Sequence, residues 1–155
     1  MLYSMLCSNM KRSVRLELLK VFVWNVLTYG SETWILYKDV SRHIEAFEMW
    51  CYRRMQNIRW QDRVTNDNVL RSIQQPRTLL SSIVKRKAAY AGHVERGSSG
   101  ELAKIIVQGR TIGRRQPGRR RHRWLDEVVN WCGDIAQAQN RVEWRERVRA
   151  LEPQL

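Results

Sequence analysis

The sequence predicts a mainly α protein, an irregular helical bundle of about five to six helices with a basic Gly/Arg-rich loop. Three observations carry this. Apolar residues recur at helical spacing along most of the chain. Helix-start residues precede those stretches and glycines close them. One run, GRTIGRRQPGRRRHRW from Gly109 to Trp124, holds seven arginines, one histidine, three glycines and no acid. A buried guanidinium would need a partner that this run does not supply, so the run belongs at the surface.

The first helix is expected from about Ser13 to Thr28, with Ser13 as cap and Gly30 as stop. Leu16, Leu19, Val23, Val26 and Leu27 form its apolar stripe, widened by Phe22 and Trp24. The second fits Val40 to Ile58, capped by Asp39 or Ser41, with Ile44, Phe47, Cys51, Met55 and Ile58 inward. A short third helix covers Asn66 to Ile73 under a Thr65 or Asn66 cap. Pro76 suits the start of a fourth that runs to about Arg96. On that helix Leu80, Ile83, Val84, Ala91 and Val94 fall on one side, and Lys85, Arg86, His93 and Arg96 on the other. Gly97 to Gly100 form a turn, and Leu102 to Val107 fit a short helix or a strand equally. After the basic loop, a helix fits Trp124 to Cys132, Gly133 ends it, and a last one covers roughly Ile135 to Leu151. The seven tryptophans, at 24, 34, 50, 60, 124, 131 and 144, read mostly as core anchors. Trp124, at the edge of the arginine run, fits packing and base stacking about equally.

A net charge of +13 is unevenly spread. Residues 77–123 hold thirteen Lys/Arg against Glu95 and Glu101, and so carry eleven of those charges. A localised excess of this kind is an electrostatic footprint for a polyanion, and nucleic acid is the commonest large one. Arg-rich rather than Lys-rich composition favours bidentate phosphate contact. The candidate contacts are Lys85, Arg86, His93, Arg96, Arg110, Arg114, Arg115, Arg119, Arg120, Arg121, Arg123 and Trp124. Cys7, Cys51 and Cys132 are far apart and form no CxxC pair, so neither a disulfide framework nor a zinc knuckle is expected. Leu16 to Tyr29 is too short and too charged to span a bilayer, and no signal-peptide pattern opens the chain. The expectation is an intracellular protein, nuclear or cytoplasmic, with no membrane partner.

Catalytic constellations are not apparent. Two-metal nucleotidyl transfer needs clustered carboxylates, and Asp39, Asp62, Asp67, Asp126 and Asp134 include no adjacent pair. Asp126 and Glu127 read as surface charge on a helix. No phosphate loop ending in Lys-Ser/Thr occurs. His43 and Cys51 stand too far apart on one helix to share a metal. The chain is therefore expected to use no metal or other cofactor and not to be an enzyme on its own.

Four blocks in order carry a family resemblance: LLKVFVWNVLTYGSETW (18–34), AFEMWCYRRMQNIRWQDRVTNDNV (46–69), KRKAAYAGHVER (85–96) and RRQPGRRRHRWLDEVVNW (114–131). Together they resemble the segment after the polymerase core of non-LTR (LINE-type) retrotransposon reverse transcriptases, over about residues 9–147. Two departures stand out: Gly118-Arg119-Arg120 where Gly-Arg-Pro is commoner, and Tyr90-Ala91 where an aromatic-Leu pair is commoner. Both fit a degenerating copy. The resemblance implies a C-terminal piece: a thumb-like helical region over 1–75, a basic amphipathic helix and connector over 76–108, the basic loop over 109–124, and C-terminal helices over 125–155. It implies a grip on RNA or an RNA/DNA hybrid, with the palm and its catalytic Asp-Asp motif supplied by another polymerase segment. A start at an internal methionine of a truncated element would follow, as would self-association through apolar faces that a palm would otherwise cover. From a different class, the arginine run could be a nuclear-localisation or acidic-partner signal on a non-enzymatic interaction module.

Overall fold

A computed structural model describes residues 9–109, 118 and 123–151. Every regular element among them is helical, so the mainly α expectation holds. The chain divides into two compact units. The first takes the described residues up to Tyr29 together with Tyr37–Leu80; the second takes Gly30–Leu36 and the chain from Ser81 onward.

In the first unit, α1 opens as Arg12–Leu18, continues as a π-helical segment Leu19–Trp24 and closes as Asn25–Leu27. Lys11, not Ser13, stands at the cap position, and it makes no side-chain cap bond. The π segment corrects the expected stripe. Its i→i+5 bonding widens the turn, so Leu19 and Trp24, five residues apart, become the buried pair. Val26 and Phe22, expected to face or flank the core, are exposed instead. Gly30 ends the segment at φ +67°, a left-handed geometry that glycine adopts without penalty.

Helix α2 (Lys38–Met55) buries Ser41, Ile44, Glu48, Met49, Cys51, Tyr52 and Met55. Neither expected cap holds: the helix starts after Tyr37, Asp39 lies in its first turn and Ser41 is buried. Trp24 packs edge-on against Tyr52 at 6.5 Å between ring centroids and tilted against Phe47 at 6.0 Å. Helix α3 (Asn66–Ile73) has the expected bounds, with the Thr65 hydroxyl accepting from the Asn68 N–H at 3.4 Å. Arg15 donates to the Met55 carbonyl at 2.9 Å and Arg12 to the Ser72 carbonyl at 2.8 Å, tying α1 to the ends of α2 and α3.

Helix α4 (Leu79–Glu95) begins later than Pro76. The Glu48 carboxylate sets that start: it accepts from the Thr78 N–H at 2.9 Å, the Leu79 N–H at 3.3 Å and the Tyr52 hydroxyl at 2.9 Å. A buried anion satisfies N–H groups that a helix start leaves open. From Ser81 onward α4 belongs to the second unit. Its expected apolar residues Leu80, Ile83, Val84, Ala91 and Val94 are all buried.

The ambiguous stretch is helix α5 (Glu101–Gln108), held to α4 by Lys104–Glu95 at 2.8 Å. Helix α6 (Trp124–Cys132) follows, with the Asp126 carboxylate accepting from the Arg123 N–H at 3.0 Å. The last expected helix is broken into a 3-10 segment, Ile135–Gln139, and helix α7 (Arg141–Ala150). Asn140 makes the break, because its side chain caps Val142 and Glu143. Ala88, Ala91, Val128, Cys132, Ala138 and Trp144 form the core of this unit.

Two further expectations need correction. Trp60 is 85% exposed and Trp50 45%, so neither is a core anchor. Glu127 is not surface charge: it is 4% exposed and paired with Lys87, which is fully buried.

Candidate functional site

Small residues on α4 make room for the Trp144 indole of α7. Ala88 and Ala91 are buried, and Gly92 lies where a Cβ would overlap the Trp144 indole. Trp144 Nε1 donates to the Ala88 carbonyl at 3.0 Å and locks the crossing. This contact sets two helix faces side by side. Ala89, His93 and Arg96 follow one another at helical spacing on α4; Arg141, Arg145 and Arg149 do so on α7. Between them lies an open groove of ≈ 610 Å³, floored by Trp144 and Val148.

The groove is strongly cationic. Four guanidiniums and an imidazole line it, and among the described residues no carboxylate does. Arg96 is half-buried and fixed by a 2.7 Å bond from Nη1 to the Ala138 carbonyl. Burial first, then repulsion from Arg141 and Arg145, lowers the Arg96 pKa below the usual arginine value. Like charges held this close are relieved when an anion lies between them. Arginine forks suit the paired oxygens of phosphate or carboxylate groups.

Of the residues expected from sequence, His93 and Arg96 line the groove. Lys85 and Arg86 lie two to three turns earlier on α4, half-buried and exposed respectively, and extend the same side of the helix. Arg123 is half-buried at the start of α6. Trp124 has a packing role: Nε1 donates to the Glu32 carbonyl at 2.7 Å, and its ring meets Tyr90 edge-on at 6.1 Å. Arg110, Arg114, Arg115, Arg119, Arg120 and Arg121 lie outside the described residues. Sequence reasoning missed Arg141, Arg145 and Arg149, whose i, i+4, i+8 spacing is a signal visible beforehand.

Beneath α4 sits the buried ammonium of Lys87. It donates to Glu127 and, at 2.8 Å, to the Trp34 carbonyl, and lies over the rings of Trp124 (4.9 Å) and Trp131 (5.6 Å). Among the described residues no group of three or more His, Cys, Asp or Glu could hold a metal. No helix among them is long and apolar enough to cross a membrane.

With this geometry in place, comparison with known proteins gives one informative likeness. The chain is 30% identical over 121 residues to an uncharacterised transposon-derived protein from Caenorhabditis elegans. That alignment takes in 76% of the chain and 43% of the relative, so the chain spans less than half the relative's length. No protein-family profile matches the chain, and no solved structure does.

Proposed function

We propose that this chain derives from a transposon and is the thumb and post-polymerase portion of a LINE-type reverse transcriptase, holding RNA or an RNA/DNA hybrid without performing the chemistry. The transposon-derived relative supports the origin. The four collinear sequence blocks support the narrower placement. The observation that carries the binding role is the groove in which His93 and Arg96 of α4 meet Arg141, Arg145 and Arg149 of α7 with no lining carboxylate among the described residues. Phosphate contacts of this kind hold a strand in place without reading its bases. The polymerase segment that would supply the metal-binding aspartates is the proposed partner.

The test is a binding titration of labelled RNA, RNA/DNA hybrid and duplex DNA at several salt concentrations. Each phosphate contact adds roughly 0.7–0.9 to the slope of log affinity against log salt. The triple variant R141A/R145A/R149A is expected to lower that slope by about two. R119A/R120A/R121A tests the arginine run separately. A slope that the groove triple leaves unchanged removes the groove from the interface.

A further inference from the structure

The most exposed tryptophan in the first unit is held on a rigid turn between two arginines. Trp60 opens the 3-10 turn Trp60–Asp62 and is 85% exposed. Tryptophan is seldom left this open, because its ring is the largest apolar surface a side chain carries. The turn is firmly built. The Asp62 carboxylate accepts from the Arg59 N–H at 2.7 Å, and the Arg63 N–H donates to the Trp60 carbonyl at 3.4 Å. Arg63 closes the turn at φ +49°. Just beyond it, Arg53 holds the Val64 carbonyl at 2.7 Å and the Asn66 side chain at 2.8 Å. The ring is therefore presented by fixed backbone, which lowers the ordering cost of any contact it makes.

The neighbours of Trp60 say what kind of partner fits. Arg59, Gln61, Asp62 and Arg63 are all exposed and polar, so along the turn the ring is flanked by polar side chains rather than apolar ones. The carboxylate of Asp62 is engaged by backbone, while the guanidiniums of Arg59 and Arg63 form no ion pair or hydrogen bond with the described residues. An apolar protein pocket closing over Trp60 would have to desolvate both cations. A nucleotide strand would not: a base offers a flat face for the indole, and its flanking phosphates suit two arginines.

We infer that Trp60, flanked by Arg59 and Arg63, is a stacking site for an unpaired base of single-stranded nucleic acid. The inference rests on the nucleic-acid reading above and adds to it a strand class and a second site, in the other unit. Stacking of this sort is sequence-tolerant and absent from a closed duplex, whose bases are already stacked.

The experiment measures the affinity of the full 155-residue chain for a labelled oligouridylate, an abasic strand of the same length and an RNA duplex. W60A is expected to weaken oligouridylate binding about tenfold or more, while W60F stays within about threefold of wild type. Both variants should bind the abasic strand and the duplex as wild type does, and both should melt as wild type does because the ring is exposed. Unchanged oligouridylate affinity in W60A overturns the inference and leaves Trp60 as an anchor for a protein partner. Equal loss on the abasic strand overturns it too, since the effect would then be one of charge or folding. Failure of the groove reading looks different: it appears as an unchanged salt slope in R141A/R145A/R149A, whatever W60A does. Absence of binding to every strand by the wild-type chain overturns both.

Discussion

Lys87 and Glu127 form an ion pair sealed inside the second unit, at 0% and 4% side-chain exposure. Burial lowers the Lys87 pKa, against the opposing pull of Glu127. The Trp34 carbonyl and the faces of Trp124 and Trp131 help to replace the water that the ammonium gives up. A buried pair contributes little net stability, whereas breaking one leaves a charge without its counterion. K87M is therefore expected to cost about 3–5 kcal/mol, and K87M/E127L to recover most of it. Urea unfolding of K87M, E127L and K87M/E127L gives the coupling directly. Additive losses would mean that the pair does not act as a unit.

Gly92 is the residue that lets the Trp144 indole of α7 lie against α4. An added Cβ would lie 2.5 Å from Trp144 Cδ1 and overlap Nε1 as well. Alanine in a helix interior normally gains about 1 kcal/mol over glycine. Here overpacking of about 1–3 kcal/mol should win, so G92A is expected to lower the melting temperature. It should also weaken the near-ultraviolet circular dichroism of the tryptophans. A more stable G92A would show that the indole has room to move.

Glu48 should behave as a helix cap supplied from another helix. E48A leaves the N–H groups of Thr78 and Leu79 and the Tyr52 hydroxyl without their acceptor in a buried site. The expected loss is about 2–3 kcal/mol, as for unsatisfied groups that had bonded to a charge. E48Q keeps one acceptor oxygen and should lose less. Amide hydrogen exchange at Thr78 and Leu79 checks the mechanism, because protection there should fall first in E48A.

The parts of this architecture that local chemistry decides were legible in the sequence. Thr65 before Asn66–Ile73 fixes α3, and Trp124 and Gly133 bracket α6. The apolar side of α4 follows from periodicity alone. What stayed hidden depends on distant partners. Glu48 meets Thr78 and Lys87 meets Glu127 across 30 and 40 residues, and a lone charged residue in a helix otherwise reads as solvated. The π segment of α1 moved its buried face because the stripe was phased at the α period. The groove was half visible: His93 and Arg96 were expected as contacts, but only the seating of Trp144 against Gly92 brings Arg141, Arg145 and Arg149 beside them. Trp60 read as core because composition cannot distinguish an indole in a helix from one raised on a turn.

The two buried thiols should make the protein sensitive to alkali. Burial, helped by the charge of Glu48, pushes Cys51 up to about 12 from an ordinary value of 9.0. Burial pushes Cys132 to about 11, although Arg147 pulls the other way. In the unfolded chain both thiols ionise near 9.0, so above that pH the unfolded state holds fewer protons than the native state. Stability contributed by these groups is complete below about pH 9 and is lost as pH rises through 11 and 12, at up to about 1.4 kcal/mol per pH unit for each thiol. Tyr52 is raised in the same sense by burial and Glu48. Lys87 acts oppositely, since its lowered pKa makes stability rise with pH up to about 10.5. The thiol contribution is therefore isolated by comparing slopes between wild type and C51A/C132A. The double variant should start less stable, because it leaves cavities. Its stability should nevertheless fall less steeply between pH 9 and 11 in urea unfolding. Parallel slopes would show that the native thiols ionise as freely as unfolded ones.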